Sequence, residues 1–430
     1  MSDTRTERDS MGEMQVPADA YYGASTQRAV LNFPISSLRF SRPFIRVLGL
    51  IKMAAAKVNE DLGLLKPDIS AAIQTAAREV ADGKLDAEFV VDIFQTGSGT
   101  STNMNANEVI ANRASEIMGG ELGSKLVHPN DHVNKGQSSN DVIPTAIHVA
   151  ALVEIDEKLL PALGRLQEGL EAKSKEFWGI VKTGRTHLQD ATPVRLGQEF
   201  LGYAGQVERG ITRMRRAQDE LSEVALGGTA VGTGVNTHAE FAERVCIVLS
   251  QELGVDVHET SNHFQAQNTL DGALEASGSL RTVAVSLQKI ANDIRWLGSG
   301  PRAGIGELAL PEVQPGSSIM PGKVNPVIAE ALLQSSAQVI GNDVAVLQAA
   351  LGSYFELNMM MPVAAHNLLQ SIELLTAAAD NFNEQCVKGL RATDKGPEMV
   401  ERGLMLGTAL APAVGYDAAA AIAKEASKTG

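Results

Sequence analysis

The chain has 430 residues, of which 44% are hydrophobic and 20% are charged, and its formal net charge is −14. This length and composition indicate a globular protein with a large core and two or three domains. The negative charge argues against nucleic acid and acidic membrane surfaces as partners, although an acidic protein can still have a locally positive pocket for an anion.

Residues 1–136 form a first predicted domain of shorter, mostly helical segments, with helical patterns near 43–62, 67–83 and 105–118. Strand signals are few, because aromatic residues make up only 4% of the chain and long alternating runs of Val, Ile and Thr are missing. The first domain is therefore expected to be mainly α.

Residues 137–390 form a second predicted domain, and residues 391–430 a third, small helical one that stops abruptly and is expected to be incomplete. The pattern from Val283 to Leu297 spreads apolar residues around much of one helix, which then needs burial on several sides. A central bundle of long helices that associates into an oligomer meets this need. The long helical patterns of the second domain cover about 141–177, 193–222, 238–253, 268–297, 327–350 and 362–388.

The two cysteines, Cys246 and Cys386, lie far apart and belong to no CxxC pair. They are expected to be buried free thiols of a reducing compartment. Residues 1–10 lack an apolar signal core, and no later stretch is apolar enough to span a bilayer. The sequence therefore predicts a cytoplasmic protein without a membrane partner.

The first chemically informative segment is Gly97–Asn105, a glycine-rich hydroxyl loop that leads into a helical pattern. The hydroxyls of Ser98 and Thr100, with free backbone N–H groups around Gly99, suit a carboxylate at a helix start. Helix capping explains such residues about as well. The segment lacks the GKT or GKS of a Walker loop, so a nucleotide site is not predicted.

The second segment contains His128 and His132, whose i,i+4 spacing raises the possibility of a metal site. Pro129 and the pair Asn130-Asp131 argue against a continuous helix here. No third ligand is evident, so we do not predict a metal.

Shortly after it, Gln137–Asp141 places small donors before a long helical pattern. Ser138, Ser139 and Asn140 are candidates for binding an anion at that helix start. A capped helix start without a ligand is the alternative.

The third segment, Gly184–Pro193, sets His187 in a polar turn before a helix, among hydroxyl and amide groups. A single histidine is usually structural. The neighbours of His187 suit an orienting acid or base, because the unperturbed pKa of histidine, about 6.5, lies in the working range.

The fourth segment, Gly316–Pro326, carries two hydroxyls, a cation and an amide on one Gly- and Pro-punctuated loop: Ser317, Ser318, Lys323 and Asn325. A loop with a glycine near each end of its reactive centre can move. Lysine and asparagine near the start of the next helix can hold an anion.

Glu330 follows this loop in the first turn of the next helical pattern. It either complements the helix dipole or pairs with His187 and holds its tautomer. A further glycine-rich stretch, Gly227–Gly234, does not fit GxGxxG after a strand and is interpreted as a flexible connection between helices.

Together the four segments resemble the fumarase/aspartase superfamily, and most closely its class II fumarases. The resemblance extends from Asp9 to Asp417, and Gly316–Pro326 corresponds to the superfamily signature. It implies a three-domain, mainly α fold, with a central long-helix bundle that forms a twenty-helix core in a homotetramer. It also implies active sites that are each assembled from three subunits, with no cofactor and no metal.

The resemblance assigns roles by motif. Ser317 and His187 would be the catalytic pair, with Glu330 behind His187, and which of the two abstracts the proton stays open. A second, non-catalytic carboxylate site would comprise His128, Pro129, Asn130 and Asp131. The substrate site would be lined by Ser98, Gly99, Thr100, Ser138, Ser139, Asn140, Thr186, Ser318, Lys323, Val324 and Asn325.

The implied activity is a lyase reaction, the reversible hydration of fumarate to L-malate through an aci-carboxylate, as in the tricarboxylic acid cycle. Pro321–Lys323, Ser138–Asn140 and Phe355–Asn358 are similar to fumarases, whereas Ala18–Gly23 suits an aspartase equally. Aspartate ammonia-lyase is therefore the alternative. A non-catalytic protein on a lyase fold is a third hypothesis, which the presence of Ser317, His187 and Lys323 disfavours.

Overall fold

The computed structural model describes residues 3–429 and is mainly α-helical, as predicted. Met1, Ser2 and Gly430, at the ends of the first and third predicted domains, lie outside the described residues. The helices are α1 Ala24–Asn32, α2 Arg42–Asp61, α3 Pro67–Ala81, α4 Thr100–Ile117, α5 Ser139–Glu154, α6 Leu160–Glu176, α7 Leu196–Ser222, α8 Phe241–Leu253, α9 His263–Asn268, α10 Asp271–Leu297, α11 Val327–Ala350, α12 Met361–Gln385, α13 Lys395–Arg402, α14 Ala411–Val414 and α15 Tyr416–Thr429.

The strands are short, and each described strand pairs with one other. β5 and β6 run parallel, and the other pairs, β1–β2, β3–β4, β7–β10 and β8–β9, are antiparallel. The strands are β1 Thr4–Asp9, β2 Gly12–Pro17, β3 Val181–Thr186, β4 Gln189–Arg195, β5 Glu223–Val224, β6 His258–Glu259, β7 Leu308–Ala309, β8 Ser353–Tyr354, β9 Leu357–Asn358 and β10 Arg391–Ala392.

The long helical patterns are confirmed as helices, with two differences. The pattern over 141–177 is divided by a π-helical turn at Ile155–Leu159 between α5 and α6. The pattern that was predicted to begin near 193 begins at Leu196, because residues 189–195 are strand β4.

The hairpins β1–β2 and β3–β4 were not predicted. Apolar and polar residues do not alternate along their strands. Thr4–Asp9, for example, has the sequence Thr-Arg-Thr-Glu-Arg-Asp and a single buried position. Alternation is the signal of a strand with one buried face, so a strand without such a face leaves no pattern to detect.

Contacts divide the chain into two compact units. The first comprises the described chain up to Leu159 together with Met214–Arg281 and Val339–Glu373. The second comprises Leu160–Arg213, Thr282–Gln338 and the chain from Leu374 onward. The predicted boundaries at 136 and 390 stay a prediction.

Within the first unit, α2 supplies much of the core and packs against α3. A Cβ added at Gly49 would lie 2.9 Å from both the Ala77 carbonyl oxygen and the Ala81 nitrogen, so the absent side chain allows this close approach. Lys52 is fully buried on the same helix. Among residues 3–429, no helix has both the length and the hydropathy that crossing a bilayer requires.

Candidate functional site

The start of α4 depends on Gly99, which has a φ of 72° and precedes the first helical residue, Thr100. This left-handed conformation favours glycine. A Cβ at Gly99 would also lie 2.9 Å from the Ile143 side chain. The glycine of the hydroxyl loop is therefore needed both for its backbone and for its missing side chain.

A chain of hydroxyls joins the starts of α4 and α5. Ser98 Oγ lies 2.7 Å from Thr100 Oγ1, which lies 2.7 Å from Ser139 Oγ. Ser139 Oγ donates to Asn140 Oδ1 at 3.4 Å. The structure thus brings together residues that are about 40 positions apart in the sequence, on two helix N-termini whose free N–H groups favour an anion.

Ser138 and Asp141 cap α5 reciprocally. Ser138 Oγ accepts from Asn140 N at 3.2 Å, and Asp141 Oδ1 accepts from Ser138 N at 2.9 Å. The second oxygen of Asp141 accepts from Gly227 N and Thr229 N at 3.1 and 3.0 Å. Burial raises the pKa of Asp141, while these backbone N–H groups oppose the shift.

The Gly227–Gly234 stretch joins α7 and β5 to α8, as expected of a connection, but hydrogen bonds hold it in place. Besides the two bonds to Asp141, Ala230 O accepts from Asn140 Nδ2 at 2.9 Å. The connection therefore orients Asn140, one of the predicted substrate-binding residues. No local sequence pattern predicts this bond, because its two partners lie 90 residues apart.

The segment around His128 contains a single π-helical turn, Pro129–Val133, and His128 lies before it in an extended conformation, so no continuous helix carries both histidines, as predicted. His128 Nδ1 accepts from Asn130 N and Asp131 N at 3.2 and 3.1 Å, which stabilises the turn. His132 Nδ1 accepts from His128 N at 2.9 Å. Among residues 3–429, no cluster of three His, Cys, Asp or Glu side chains is placed to hold a metal ion.

A cavity of about 350 Å³ adjoins this turn in the first unit. Arg8, Lys125, His128 and Asn130 line it, together with acidic residues that include Glu108. Its cationic and amide groups suit a carboxylate, although the same lining carries the three carboxylates of Glu7, Asp9 and Glu108.

His187 lies at the tip of the β3–β4 hairpin. Thr186 pairs with Gln189, so His187 and Leu188 form a two-residue turn with φ of 56° and 60°. Positive φ at both positions is the geometry of a type I′ turn. Neither residue is glycine, so each costs about 1–3 kcal/mol of strain, which is typical of functional positions. Both side chains, with that of Thr186, are exposed.

A buried ionic cluster supports this hairpin within the second unit. Lys182 Nζ lies 2.8 Å from Glu199 Oε1 and 3.0 Å from Glu307 Oε2, and Arg185 Nη2 lies 2.7 Å from Glu307 Oε1. Burial raises the pKa of Glu199, and Lys182 opposes that shift. The cluster ties β3 to α7 and to the residue before β7.

The loop Gly316–Pro326 closes on itself through Gly316. Gly316 N donates to Lys323 O at 2.9 Å, and Asn325 Nδ2 donates to Gly316 O at 2.7 Å. Lys323 Nζ donates to Asn325 Oδ1 at 2.7 Å. The predicted cation and amide are therefore paired with each other and held at one point of the loop.

Ser317 Oγ accepts two backbone hydrogen bonds, from Ile319 N at 3.2 Å and from Met320 N at 3.0 Å. The hydroxyl proton is not used in these bonds. Two converging N–H groups favour negative charge on the oxygen they face. The neighbouring side chains of Ser318, Lys323 and Val324 are exposed.

Glu330 lies in the first turn of α11, where its N–H donates to Pro326 O at 3.0 Å. It lines a cavity of about 630 Å³ in the second unit together with Lys323 and Asn325. Within residues 3–429, no hydrogen bond or ion pair joins Glu330 to His187. The predicted pairing of these two side chains stays a prediction.

The comparisons with known proteins agree with this architecture. A family model described as a lyase matches residues 12–341. The class II fumarate hydratase of Halobacterium salinarum is 58% identical over 429 residues, which cover 100% of this chain and 91% of that protein. The mitochondrial fumarate hydratase of Saccharomyces cerevisiae is 54% identical over 432 residues, which cover 100% of this chain and 88% of that protein.

Among solved structures, a recombinant class II fumarase from Schistosoma mansoni has a TM-score of 0.97 and 41% sequence identity, covering 99% of this chain and 93% of that one. The chain therefore belongs to this lyase family, and within it to the class II fumarases.

The ionic cluster beneath His187 leads to a stability prediction. Glu307→Gln removes the carboxylate that two cations share, and Lys182 and Glu307 are both only 1% exposed. We expect the free energy of unfolding to fall by about 3 kcal/mol or more, because breaking a buried ion pair leaves a buried charge poorly compensated. Urea unfolding at a fixed protein concentration measures the change.

The matched control is Glu384→Gln, which breaks an exposed i,i+4 pair with Lys388. This change is expected to alter stability by less than about 0.5 kcal/mol. Equal unfolding midpoints for the two variants would contradict the role given to the cluster.

Proposed function

We propose that this chain catalyses the reversible hydration of fumarate to L-malate. The observation that carries the proposal is the Gly316–Pro326 loop. It places Ser317 Oγ under two backbone N–H donors and holds a paired Lys323 and Asn325 a few residues away. Family membership supports the same assignment, since the relatives reported above are named fumarate hydratases.

The reaction concentrates negative charge. Malate carries two carboxylates, and removal of its C3 proton produces an aci-carboxylate with about one further negative charge. Catalysis therefore depends on donors aimed at charge that develops in the transition state. Lys323 and Asn325 would serve the reacting carboxylate.

The other carboxylate would bind at the starts of α4 and α5, on a clamp that we define as Ser98, Thr100, Ser139 and Asn140. Three hydroxyls of this clamp already form a continuous hydrogen-bonded chain. Hydroxyls at helix starts can turn their protons toward an anion without moving the backbone. Ser138, Gly99, Thr186, Ser318 and Val324 complete the proposed lining of the substrate site.

Ser317 is our choice for the base, although a serine hydroxyl is a weak acid. Hydrogen bonds to a charged group contribute about 1.5–3 kcal/mol each, more when closure excludes water. Ile319 N and Met320 N together therefore supply a substantial part of the several kcal/mol that forming an alkoxide near neutral pH requires. His187 would then protonate the leaving hydroxyl through a water, with Glu330 fixing its tautomer.

We place the pieces of one site on different protomers of a homotetramer. An exposed apolar stripe favours association: Val344 and Leu347 on one face of α11, and Leu351 just after its end, are 54%, 40% and 64% exposed. A neighbouring protomer that completes the pair of His187 and Glu330 would also explain two observations. The tip that carries His187 is exposed, and within residues 3–429 no bond joins the two side chains.

Two further assignments belong to the proposal. His128, Pro129, Asn130 and Asp131, beside the 350 Å³ cavity, would form a second carboxylate site that takes no part in the chemistry. The proposed compartment is the cytoplasm. This is supported by the free thiols of Cys246 and Cys386, which are buried and whose pKa values burial raises to about 12, so that neither is a reactive thiolate.

The substrate is tested by incubating the purified chain with L-malate and, separately, with L-aspartate, and following the absorbance of fumarate. We expect fumarate from malate and none from aspartate, because the leaving group is proposed to be hydroxyl. Fumarate from aspartate but not from malate would reverse the assignment to an ammonia-lyase.

The base is tested by Ser317→Ala, which leaves Ile319 N and Met320 N without the oxygen that they face. Turnover of malate is expected to fall at least about a hundredfold while the oligomer stays intact, since the proton-abstracting group is lost. Ser335→Ala is the control, because among residues 3–429 that exposed hydroxyl bonds only to Ala331 O, within its own helix. Near-normal turnover in Ser317→Ala would exclude Ser317 as the base.

A further inference from the structure

Lys52 is a charged residue in an apolar setting. It lies in the middle of α2 between Ile51 and Met53, and its side chain is 0% exposed. Lysine is almost never fully buried without a partner that compensates its charge. Among residues 3–429, no carboxylate oxygen lies within ion-pair distance of Lys52. Its position therefore calls for a physical explanation.

Three amide oxygens surround the Lys52 ammonium. Nζ donates to Asn103 Oδ1 at 2.9 Å, to Asn134 Oδ1 at 3.0 Å and to Gln137 Oε1 at 2.9 Å. An ammonium has three N–H donors and no acceptor, so donors and acceptors match one to one. A neutral amine has only two donors and would face the third oxygen with a lone pair.

The orientation of the amides is fixed by their other ends. Asn103 Nδ2 donates to Asn134 Oδ1 at 3.2 Å, and Asn134 Nδ2 donates to Gln137 O at 3.1 Å. Gln137 Nε2 donates to Val133 O and Lys135 O at 3.1 and 3.2 Å. Because each amide nitrogen already has an oxygen partner, the amide oxygens of Asn103, Asn134 and Gln137 face Lys52. We call these three oxygens the cage, and their hydrogen bonds favour the protonated form of Lys52.

The cage connects the two backbone segments that carry the clamp. Asn103 lies in the first turn of α4, three residues after Thr100. Asn134 and Gln137 lie in the segment that leads into Ser138 and the start of α5. One ammonium thus holds together the two helix starts whose hydroxyls meet in the Thr100–Ser139 hydrogen bond.

We propose that Lys52 is a positioning residue for the carboxylate clamp: its ammonium holds the starts of α4 and α5 together, and loss of its proton loosens the clamp and weakens substrate binding. The inference rests on the proposed function, because it assigns the clamp to a substrate carboxylate. Among the described residues, Lys52 Nζ donates hydrogen bonds to three amides and to none of the clamp hydroxyls, so it acts through the clamp.

The expected pH dependence follows from the groups around Lys52. α4 and the segment 134–137 face it with amides, and α5 brings Asp141, whose charge stabilises the ammonium. α3, α8 and the turn Pro129–Val133, which carries His132, also pack on α2; within residues 3–429, Asp141 is the charged group that shifts the pKa of Lys52. Burial lowers the pKa of Lys52 to about 7.

The ammonium is therefore present below about pH 7 and lost as the pH rises above it. Bound dianion favours the protonated form, so the effect appears in KM rather than in kcat. For a single group that must be protonated, KM for malate is expected to rise about tenfold between about pH 6 and pH 8.

The experiment compares KM and kcat for malate across this range in the wild-type oligomer, Lys52→Met and Lys57→Met. Lys57 lies on the same helix and is half exposed, and in the part of the chain that the structure describes it pairs only with Asp61, so it is the matched control. We expect Lys57→Met to keep the alkaline rise of the wild type. In Lys52→Met we expect KM at about pH 6 to be at least about tenfold higher, with the alkaline rise abolished and kcat within about twofold at saturation. A normal KM at that pH, or an unchanged alkaline rise, overturns the proposal.

Gln137→Leu keeps the test decisive if Lys52→Met does not fold. It removes one of the three oxygens, so the ammonium is less stabilised and the rise of KM is expected to begin at a lower pH. An identical profile in Gln137→Leu and the wild type would overturn the proposal. Failure of the proposed function is distinguishable, because the wild type would then not turn over malate at any pH.

Discussion

The hydrogen bond between Thr100 Oγ1 and Ser139 Oγ joins the starts of α4 and α5. The rest of the proposed substrate site depends on it, because it brings two sets of free N–H groups and hydroxyls to one place. Other contacts keep the helix starts in position. Asp141 holds the start of α5 to Gly227 and Thr229, and the Lys52 ammonium donates hydrogen bonds both to α4 and to the segment that leads into α5. A binding surface built from small neutral groups is thus positioned by buried charged ones.

The second unit supplies groups of a different kind. Its loop and hairpin carry the cation, the candidate base and the candidate acid, and two of these are held in unusual local geometry. Ser317 lies under two N–H donors, and His187 lies in a turn where both residues have positive φ. Both arrangements cost backbone freedom or strain, which is consistent with residues placed for chemistry rather than for stability. In the proposed site, neutral donors bind the charge that the substrate already carries. Charged or polarised groups face the charge that develops during the reaction, as dianion chemistry requires.

Much of this was predictable from the sequence, and what was missed has a physical reason. The long helices follow from apolar periodicity, and the four polar segments follow from their residue types. The β3–β4 hairpin was missed because its strands show no alternation of apolar and polar residues. The π-helical turn after His128 was not predicted because Pro129 and Asn130 argue against a continuous helix. Lys52 left only a weak signal, a lone cation in an apolar run. Its amide partners lie about 50 to 85 residues later, and no local pattern encodes contacts at that separation.

The central claim is that one active site is completed by more than one protomer. Hybrid oligomers test it most directly: inactive Ser317→Ala and His187→Asn chains are co-expressed with different tags, and oligomers that carry both tags are isolated and assayed with malate. If Ser317 and His187 of a site come from different protomers, random mixing restores about a quarter of the sites, so activity should return well above that of either parent. Hybrid oligomers as inactive as their parents would place both groups on one protomer and contradict the account.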